Sequence, residues 1–129
     1  MKLEHIALAS NSEEESDKFF IDLLGLDKVR TFKVSKDKMK QFFNVNDSHN
    51  FIRYEKEEFS VEVIITNKRK EVKDKFTHSC ILVEDSIKFI QKAAVMGYDT
   101  IEVPREGANG YYLFLRDNFG NLFEIKGSS

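Results

Sequence analysis

The sequence is poor in cysteine, since Cys80 is the only one among 129 residues. A single thiol cannot form a disulfide within the chain, which is typical of a reducing compartment and predicts a cytoplasmic location. No apolar run approaches the roughly 20 residues that a membrane-spanning helix needs. The first strand-like segment begins almost at Met1 and carries charges, so we expect no signal peptide. A disulfide scaffold and a membrane protein are therefore not expected.

An excess of one charge is also missing. The chain has 20 basic and 22 acidic side chains, for a formal net charge of -2. No global field favours nucleic acid or an anionic membrane, so we expect neither as a partner. Apolar residues make up 41% and charged residues 33% of the chain, which is typical of a soluble globular protein.

The sequence also lacks a segment with the composition of a flexible linker, because it has one proline and six glycines and no stretch rich in them. We therefore expect a single domain over residues 1–129. Its order of elements repeats, with module one at about residues 1–66 and module two at about residues 77–127. The charged stretch 67–75 is predicted to connect them.

Both modules are predicted to contain a strand, a helix that ends at a glycine, and three further strands. In module one these are a strand at 2–9, a helix at 12–24 before Gly25, a strand at 26–34 and a hairpin of 50–56 with 59–66. A short helix is favoured from Ser35 onward. In module two they are a strand at 77–83, a helix between Asp85 and Gly97, a strand at 98–103 and a hairpin of 111–116 with 121–126. The predicted class is α+β, with two βαβββ modules.

Each helix has an apolar stripe that predicts its buried face. The expected buried residues are the pairs Phe19/Leu23 and Phe20/Leu24 in the first helix, and Ile87, Ile90 and Ala94, with Ala93 adjoining, in the second. The spacing from the histidine of the first strand to the glycine after the helix is 20 positions in module one and 19 in module two. The repeat is consistent in order and weak in identity.

Four polar residues occupy matching places in the two modules. His5 and His78 lie in the first strands, and Glu62 and Glu124 lie in the last strands. A histidine in a strand is more often a core or surface residue, and a strand glutamate usually faces solvent. The matched order favours another interpretation, because two imidazoles and two carboxylates suit a divalent metal. We therefore interpret the four as candidate metal ligands.

Small residues follow each histidine on the same strand face, Ala7 after His5 and Cys80 after His78. They leave room for a ligand beside the ion. Cys80 could itself bind the metal, but the sequence favours a buried structural thiol.

Four stretches of sequence carry a family resemblance: LEHIALAS, FFIDLLGL, THSCILVED and LFLRDNFGNLFEIKG. With them the chain resembles the vicinal oxygen chelate superfamily, which includes glyoxalase I, methylmalonyl-CoA epimerase, fosfomycin-resistance enzymes and extradiol dioxygenases. In the closing stretch, Asn118 stands where this family usually has proline. The resemblance covers nearly the whole chain. It implies a glyoxalase-like fold, in which two βαβββ modules pair around a shared concave sheet surface.

The resemblance also implies roles for the four polar residues. His5, Glu62, His78 and Glu124 match the four-ligand pattern of glyoxalase I, and epimerases generally have glutamine in place of Glu62. The implied function is a divalent-metal-dependent lyase or isomerase of the lactoylglutathione lyase type that works through an enediolate. Glu124 is the first choice for the base, with Glu62 facing it across the ion. The metal could be Ni, Co, Mn, Fe or Zn.

Three positions depart from close relatives. Bacterial glyoxalase I typically holds glutathione with an arginine and an asparagine, and here those positions are Ala9 and Thr66. This leaves room for another thiol or another oxygenated substrate. Fosfomycin-type thiol transferases have threonine in place of Ala7, which counts against that activity. An epimerase, a thiol transferase and a metal-free binding protein of the bleomycin-resistance type remain the alternatives.

The resemblance further implies a small-molecule substrate and a homodimer. Modules of this kind pair within one chain or swap between two chains. In the swapped case, His5 and Glu62 would meet His78 and Glu124 of the partner subunit.

Overall fold

The chain divides into two units, Met1–Lys70 and Glu71–Ser129. The structure, a computed structural model, describes residues 1–67, 74–107 and 109–127. Most of the predicted connection at 67–75 therefore lies outside the described residues. Each unit contains one four-stranded sheet and its helices.

The first unit has the predicted βαβββ order with one additional helix. Its elements are β1 (Ile6–Ser10), α1 (Glu13–Asp17) with a π-helical continuation (Lys18–Leu23), β2 (Asp27–Val34), α2 (Lys36–Phe43), β3 (His49–Lys56) and β4 (Phe59–Ile65). The strand order is β1-β4-β3-β2. β1 runs parallel to β4, and the other neighbours are antiparallel. The short helix expected after Ser35 is confirmed as α2.

The second unit repeats this arrangement without the additional helix. Its elements are β5 (His78–Val83), α3 (Ser86–Val95), β6 (Asp99–Pro104), β7 (Tyr111–Arg116) and β8 (Leu122–Gly127). The strand order β5-β8-β7-β6 has the same pattern, again with the first strand parallel to the last. The predicted α+β class and the βαβββ order of both halves are confirmed.

Alternation along the strands gives each sheet a buried face and a more polar face. The first sheet buries Ile52, Tyr54, Val61 and Val63 completely, and the second buries Leu113, Leu115, Phe123 and Ile125 almost completely. Because side chains on a strand alternate, Glu62 and Glu124 point to the opposite faces of their sheets. Burial of the apolar side chains therefore places Glu62 and Glu124 on the more polar faces of their sheets.

The first helix begins as predicted and continues in an unexpected form. Ser12 caps it by accepting a hydrogen bond from the backbone N–H of Glu15. From Lys18 the helix is π-helical, and the N–H of Leu24 bonds to the carbonyl of Phe19, five residues back. The helix predicted over 12–24 is therefore confirmed in extent, with a π-helical second half. The wider turn leaves Leu24 half-buried, whereas Phe19, Phe20 and Leu23 are buried as predicted.

The second helix buries a narrower stripe than predicted. Asp85 caps α3 through the N–H of Lys88. Ile90 and Ala93 are buried, but Ile87 and Ala94 are exposed. The prediction of a buried stripe in α3 was therefore right for Ile90 and Ala93 and wrong for the two outer residues. No helix among the described residues is both long and apolar enough to cross a membrane.

Two tight turns close the ends of the hairpins. Glu57 adopts a positive φ of 56° in the β3–β4 turn. In the β7–β8 turn, Asp117 Oδ1 accepts hydrogen bonds from the backbone N–H groups of Phe119, Gly120 and Asn121. These turns fix the registers that place Glu62 and Glu124.

Candidate metal centre

In the first unit, His5 and Glu62 form a pair on the open face of the sheet. Glu62 lies beside Ala7 in the parallel register of β1 and β4. His5 stands one residue before β1, so the predicted strand start at residue 2 was wrong. The imidazole still reaches the carboxylate, with 3.5 Å between His5 Nε2 and Glu62 Oε1. We call this pair the first half-site.

In the second unit, His78 and Glu124 form an equivalent pair. His78 is the first residue of β5, and its Nε2 lies 3.4 Å from Glu124 Oε1. The ring of Phe114, directly opposite Glu124 on β7, contacts the His78 ring edge to face at 5.8 Å between centroids. We call this pair the second half-site. The matched places in the sequence are therefore matched places in the two sheets.

The hydrogen-bond partner of Nδ1 shows which ring nitrogen of each imidazole carries a proton. His78 Nδ1 lies 2.8 Å from the carbonyl oxygen of Phe76, which can only accept. His5 Nδ1 lies 2.6 Å from Glu4 Oε1. Hydrogen bonds from Arg53 and then His5 lower the pKa of Glu4 to about 2, so this carboxylate is ionised and also only accepts. Nδ1 therefore carries a proton in both histidines.

This arrangement suits a metal ion. With Nδ1 as the hydrogen-bond donor, Nε2 is the atom free to bind an ion, and it lies beside a carboxylate oxygen that can bind the same ion. Two atoms that each lie about 2.1 Å from one ion, at a tetrahedral angle, are about 3.4 Å apart. Nδ1–H bonds to a carbonyl or carboxylate are also the usual support of metal-binding histidines. Each half-site therefore fits two ligands of a divalent ion.

In both half-sites the carboxylate is less exposed than the imidazole. The side chains of Glu62 and Glu124 are 14% and 16% exposed, whereas those of His5 and His78 are 35% and 38% exposed. The carboxylates are thus held within the sheet surface while the imidazoles remain accessible. No group of three or more His, Cys, Asp or Glu side chains in residues 1–67, 74–107 and 109–127 is arranged to hold an ion. The four-ligand set stays a prediction.

Cys80 is exposed, so the expectation of a buried structural thiol was wrong. It lies beside Glu124 in the register of β5 and β8, on the open face of the sheet. Partial burial and then the charge of Glu124 raise the pKa of this thiol. The thiol of Cys80 therefore lies beside the second half-site, on the face that carries Glu124.

Sequence reasoning did not identify Arg53 and Glu4. Arg53 lies opposite Glu62 on β3, and its Nη1 is 3.2 Å from Glu62 Oε2. The same guanidinium binds both carboxylate oxygens of Glu4, at 3.0 and 2.6 Å. The predicted hairpin of 50–56 with 59–66 is consistent with Arg53 facing Glu62. The contact with Glu4 requires the fold.

Residues 2–125 match the sequence model of the Glyoxalase/Bleomycin resistance protein/Dioxygenase superfamily. The chain belongs to this superfamily. No curated protein sequence is a significant match.

Solved structures of this superfamily share the fold. A glyoxalase family protein from Bacillus cereus matches with a TM-score of 0.76 at 14% identity, over 98% of this chain and 93% of that one. The fosfomycin resistance protein FosX from Listeria monocytogenes matches with a TM-score of 0.74 at 12% identity, over 100% and 94%. A glutamate-to-glutamine variant of that FosX, complexed with Mn(II) and 1S,2S-dihydroxypropylphosphonic acid, gives 0.71 at 13%, over 98% and 92%.

The resemblance drawn from the sequence is thereby confirmed at the level of the superfamily. At these identities the solved structures establish the shared fold and no activity. The superfamily includes metalloenzymes, as the Mn(II) complex of FosX illustrates. The closer likeness to glyoxalase I remains a prediction.

Proposed function

We propose that the chain is a divalent-metal-dependent lyase or isomerase of the glyoxalase I type. Its substrate is a small oxygenated compound such as a thiol hemithioacetal. The two half-sites together supply four ligands to one ion: His5, Glu62, His78 and Glu124. We further propose that the working form is a homodimer and that the two half-sites come either from one chain or from two.

One observation carries this proposal. Both imidazoles have their Nδ1 proton engaged by an acceptor, and both turn Nε2 toward a carboxylate oxygen 3.4 or 3.5 Å away. A solvent-facing histidine and a surface glutamate have no reason to repeat this geometry in two sheets. The repetition supports two halves of one centre.

The proposed chemistry moves a proton between adjacent carbons. When bound, the ion supplies Lewis-acid chemistry, because it polarises a carbonyl and balances the negative charge of an enediolate. Glu124 accepts the proton from the first carbon, and the electrons of that C–H bond enter the new carbon–carbon double bond. Glu124 then returns the proton to the neighbouring carbon, while the hydroxyl proton on the first carbon passes to the oxygen of the second, so that carbonyl and hydroxyl exchange places. His5 and His78 keep their Nδ1 hydrogen bonds throughout, so that Nε2 stays turned toward the carboxylate.

The choice of a four-ligand isomerase over an epimerase rests on Glu62. An amide at this place would offer a neutral oxygen, whereas Glu62 offers a charged one within the first half-site. Ala9 and Thr66 have no charged group or amide to hold the carboxylates of glutathione, so we propose a different thiol adduct as substrate. Metal-dependent thiol transfer and epimerisation remain the second candidates.

Elemental analysis of the purified protein tests the centre first. We expect about one divalent ion per chain, whether the half-sites meet within a chain or between two chains. His5→Ala and Glu124→Ala should each lower the metal content. His49→Ala is the matched control, because His49 is the third histidine and its Nδ1 contacts the carbonyl of Asp47. Metal content that stays the same in both ligand variants would refute the site.

A substrate panel tests the reaction. The metal-loaded protein is assayed with hemithioacetals of several thiols, with an acyl-CoA epimerisation substrate, and with fosfomycin plus a thiol. We expect isomerisation of at least one hemithioacetal. If the epimerisation substrate or fosfomycin is the only compound turned over, the corresponding second candidate replaces the proposal. No turnover of any thiol adduct with any metal would contradict the glyoxalase-type activity.

A further inference from the structure

The two half-sites differ in what supports them, although their sheets match. Across the first sheet, neighbouring strands place Ala7, Glu62, Arg53 and Arg30 side by side. Across the second sheet, the corresponding row is Cys80, Glu124, Phe114 and Ile101. An arginine therefore faces the carboxylate in one half-site, and a phenylalanine faces it in the other.

The first half-site is closed into a ring of contacts. His5 Nε2 faces Oε1 of Glu62, and Oε2 of Glu62 accepts a hydrogen bond from Arg53. Arg53 binds both oxygens of Glu4, and Glu4 in turn accepts the Nδ1 proton of His5. Glu62 is thus bound by Arg53 and His5 by Glu4, and Arg53 and Glu4 bind each other.

The guanidinium is well fixed for this role. Its side chain is 17% exposed, and its Nε also donates to Glu55 at 3.0 Å. Glu4, Glu55 and Glu62 all accept hydrogen bonds from this guanidinium. A planar fork bound by three carboxylates has few orientations left. It can therefore fix the orientation of Glu62 at the point of contact.

Glu124 has a looser environment. Lys126 Nζ lies 3.9 Å from its Oε2, and its neighbour across β7 is the apolar ring of Phe114. A flexible ammonium at this distance holds a carboxylate less firmly than a forked guanidinium. The two glutamates are chemically alike but differ in freedom of movement.

We propose that Arg53, with Glu4, is a positioning residue that makes Glu62 a fixed, one-oxygen metal ligand, so that Glu124 is the carboxylate free to leave the ion. This inference rests on the proposed function, since it concerns the ligands of that centre. It assigns different work to two residues that the sequence repeat makes equivalent.

Metal affinity tests the proposal without any substrate. Mn²⁺ binding to the metal-free protein is measured by calorimetry for the wild type, Arg53→Met and Arg53→Lys. We expect both variants to bind Mn²⁺ about 10- to 100-fold more weakly, because support of this kind typically contributes that much. Arg53→Lys keeps the charge and loses the fork, so it separates geometry from charge. Equal or tighter binding by Arg53→Met would overturn the proposal, because it would show that the guanidinium only repels the ion.

Arg30→Met is the matched control. Arg30 is the register neighbour of Arg53 on β2, and its guanidinium lies over the Phe32 ring. The substitution removes the same charge from the same row, and we expect Mn²⁺ affinity within about 3-fold of the wild type. An equal loss in Arg30→Met and Arg53→Met would assign the effect to a general disturbance of the sheet and refute positioning.

The visible spectrum of bound Co²⁺ provides a second measurement, since it reports ligand geometry directly. The bands should change in Arg53→Met and stay the same in Arg30→Met. If Arg53 variants do not fold by circular dichroism, Glu4→Gln serves instead, because it keeps an acceptor for His5 and weakens the hold on Arg53. Wild-type affinity and spectra in that variant would overturn the inference. A wild type that binds neither ion would remove the proposed function as well, whereas a binding wild type with unaffected variants would remove the inference alone.

Discussion

The hydroxyl of Tyr54 provides a sharp test of how the first sheet is anchored to its helix. Tyr54 is fully buried on β3, and its oxygen lies 2.6 Å from Asp17 Oδ1 and 2.9 Å from Ser16 Oγ. A phenol has one proton, which goes to the carboxylate, so the hydroxyl of Ser16 donates to the phenol oxygen. Tyr54→Phe removes both hydrogen bonds and retains the ring, which stacks on Phe20.

The expected loss can be worked out from these contacts. A hydrogen bond to a charged group contributes about 1.5–3 kcal/mol, and the loss of an acceptor for the buried Ser16 hydroxyl costs about 1 kcal/mol more. We expect Tyr54→Phe to lower the free energy of unfolding by about 3 kcal/mol. With a urea dependence of about 2 kcal/mol per molar, the midpoint falls by about 1.5 M. Tyr111→Phe is the control, since Tyr111 is exposed and its loss should cost under about 0.5 kcal/mol.

The pH dependence of stability checks the same contact independently. Burial, and then the hydrogen bond to Asp17, raise the pKa of Tyr54 in the folded protein. An unfolded tyrosine titrates near about pH 10. The stabilisation is therefore fully present below that pH and is lost as the pH rises toward the folded pKa. Tyr54→Phe should lack this alkaline decline in free energy of unfolding. Two results together would refute the assignment. They are a decrease in the free energy of unfolding of under about 1 kcal/mol in the urea titration, and a decline of this free energy at alkaline pH equal to that of the wild type.

Three further predictions concern the metal centre and a helix cap. Glu124→Gln should lower the turnover number at least about 100-fold, as expected for loss of a general base, whereas Glu102→Gln on β6 should leave initial rates unchanged. A divalent ion at 100 times its dissociation constant should raise the free energy of unfolding by about 2.7 kcal/mol, measured by urea titration, and a chelator should abolish the gain. Ser12→Ala should cost about 1 kcal/mol in the same assay, because it removes the cap that accepts from Glu15, and an unchanged midpoint would contradict this.

Much of the fold could be predicted because its signals are local. The glycines after the helices, Gly25 and Gly97, stand at the predicted positions with φ values of 73° and 94°, and the helix starts predicted at residue 12 and after Asp85 are capped by Ser12 and Asp85. Strand alternation predicted which face each glutamate occupies. These features depend on a few neighbouring residues, so one sequence is enough to find them.

The rest depends on contacts between distant parts of the chain. Arg53 and Glu4 are 49 positions apart, and no local pattern indicates that one binds the other. The exposure of Cys80 likewise depends on which face of the sheet the helix covers. The stripe of α3 was overestimated because apolar spacing does not say how much of a helix the sheet beneath it can cover. The pairing of His5 with Glu62 and of His78 with Glu124 could be anticipated only from the repeat.

The π-helical segment Lys18–Leu23 explains a difference in length between the two halves. From cap to terminal glycine there are 13 positions between Ser12 and Gly25, but 12 between Asp85 and Gly97. A bond that spans five residues instead of four accommodates one additional residue without moving either end of the helix. The wider turn thus accommodates the one additional residue of the first half, while Ala7 pairs with Glu62 in the same register as Cys80 with Glu124.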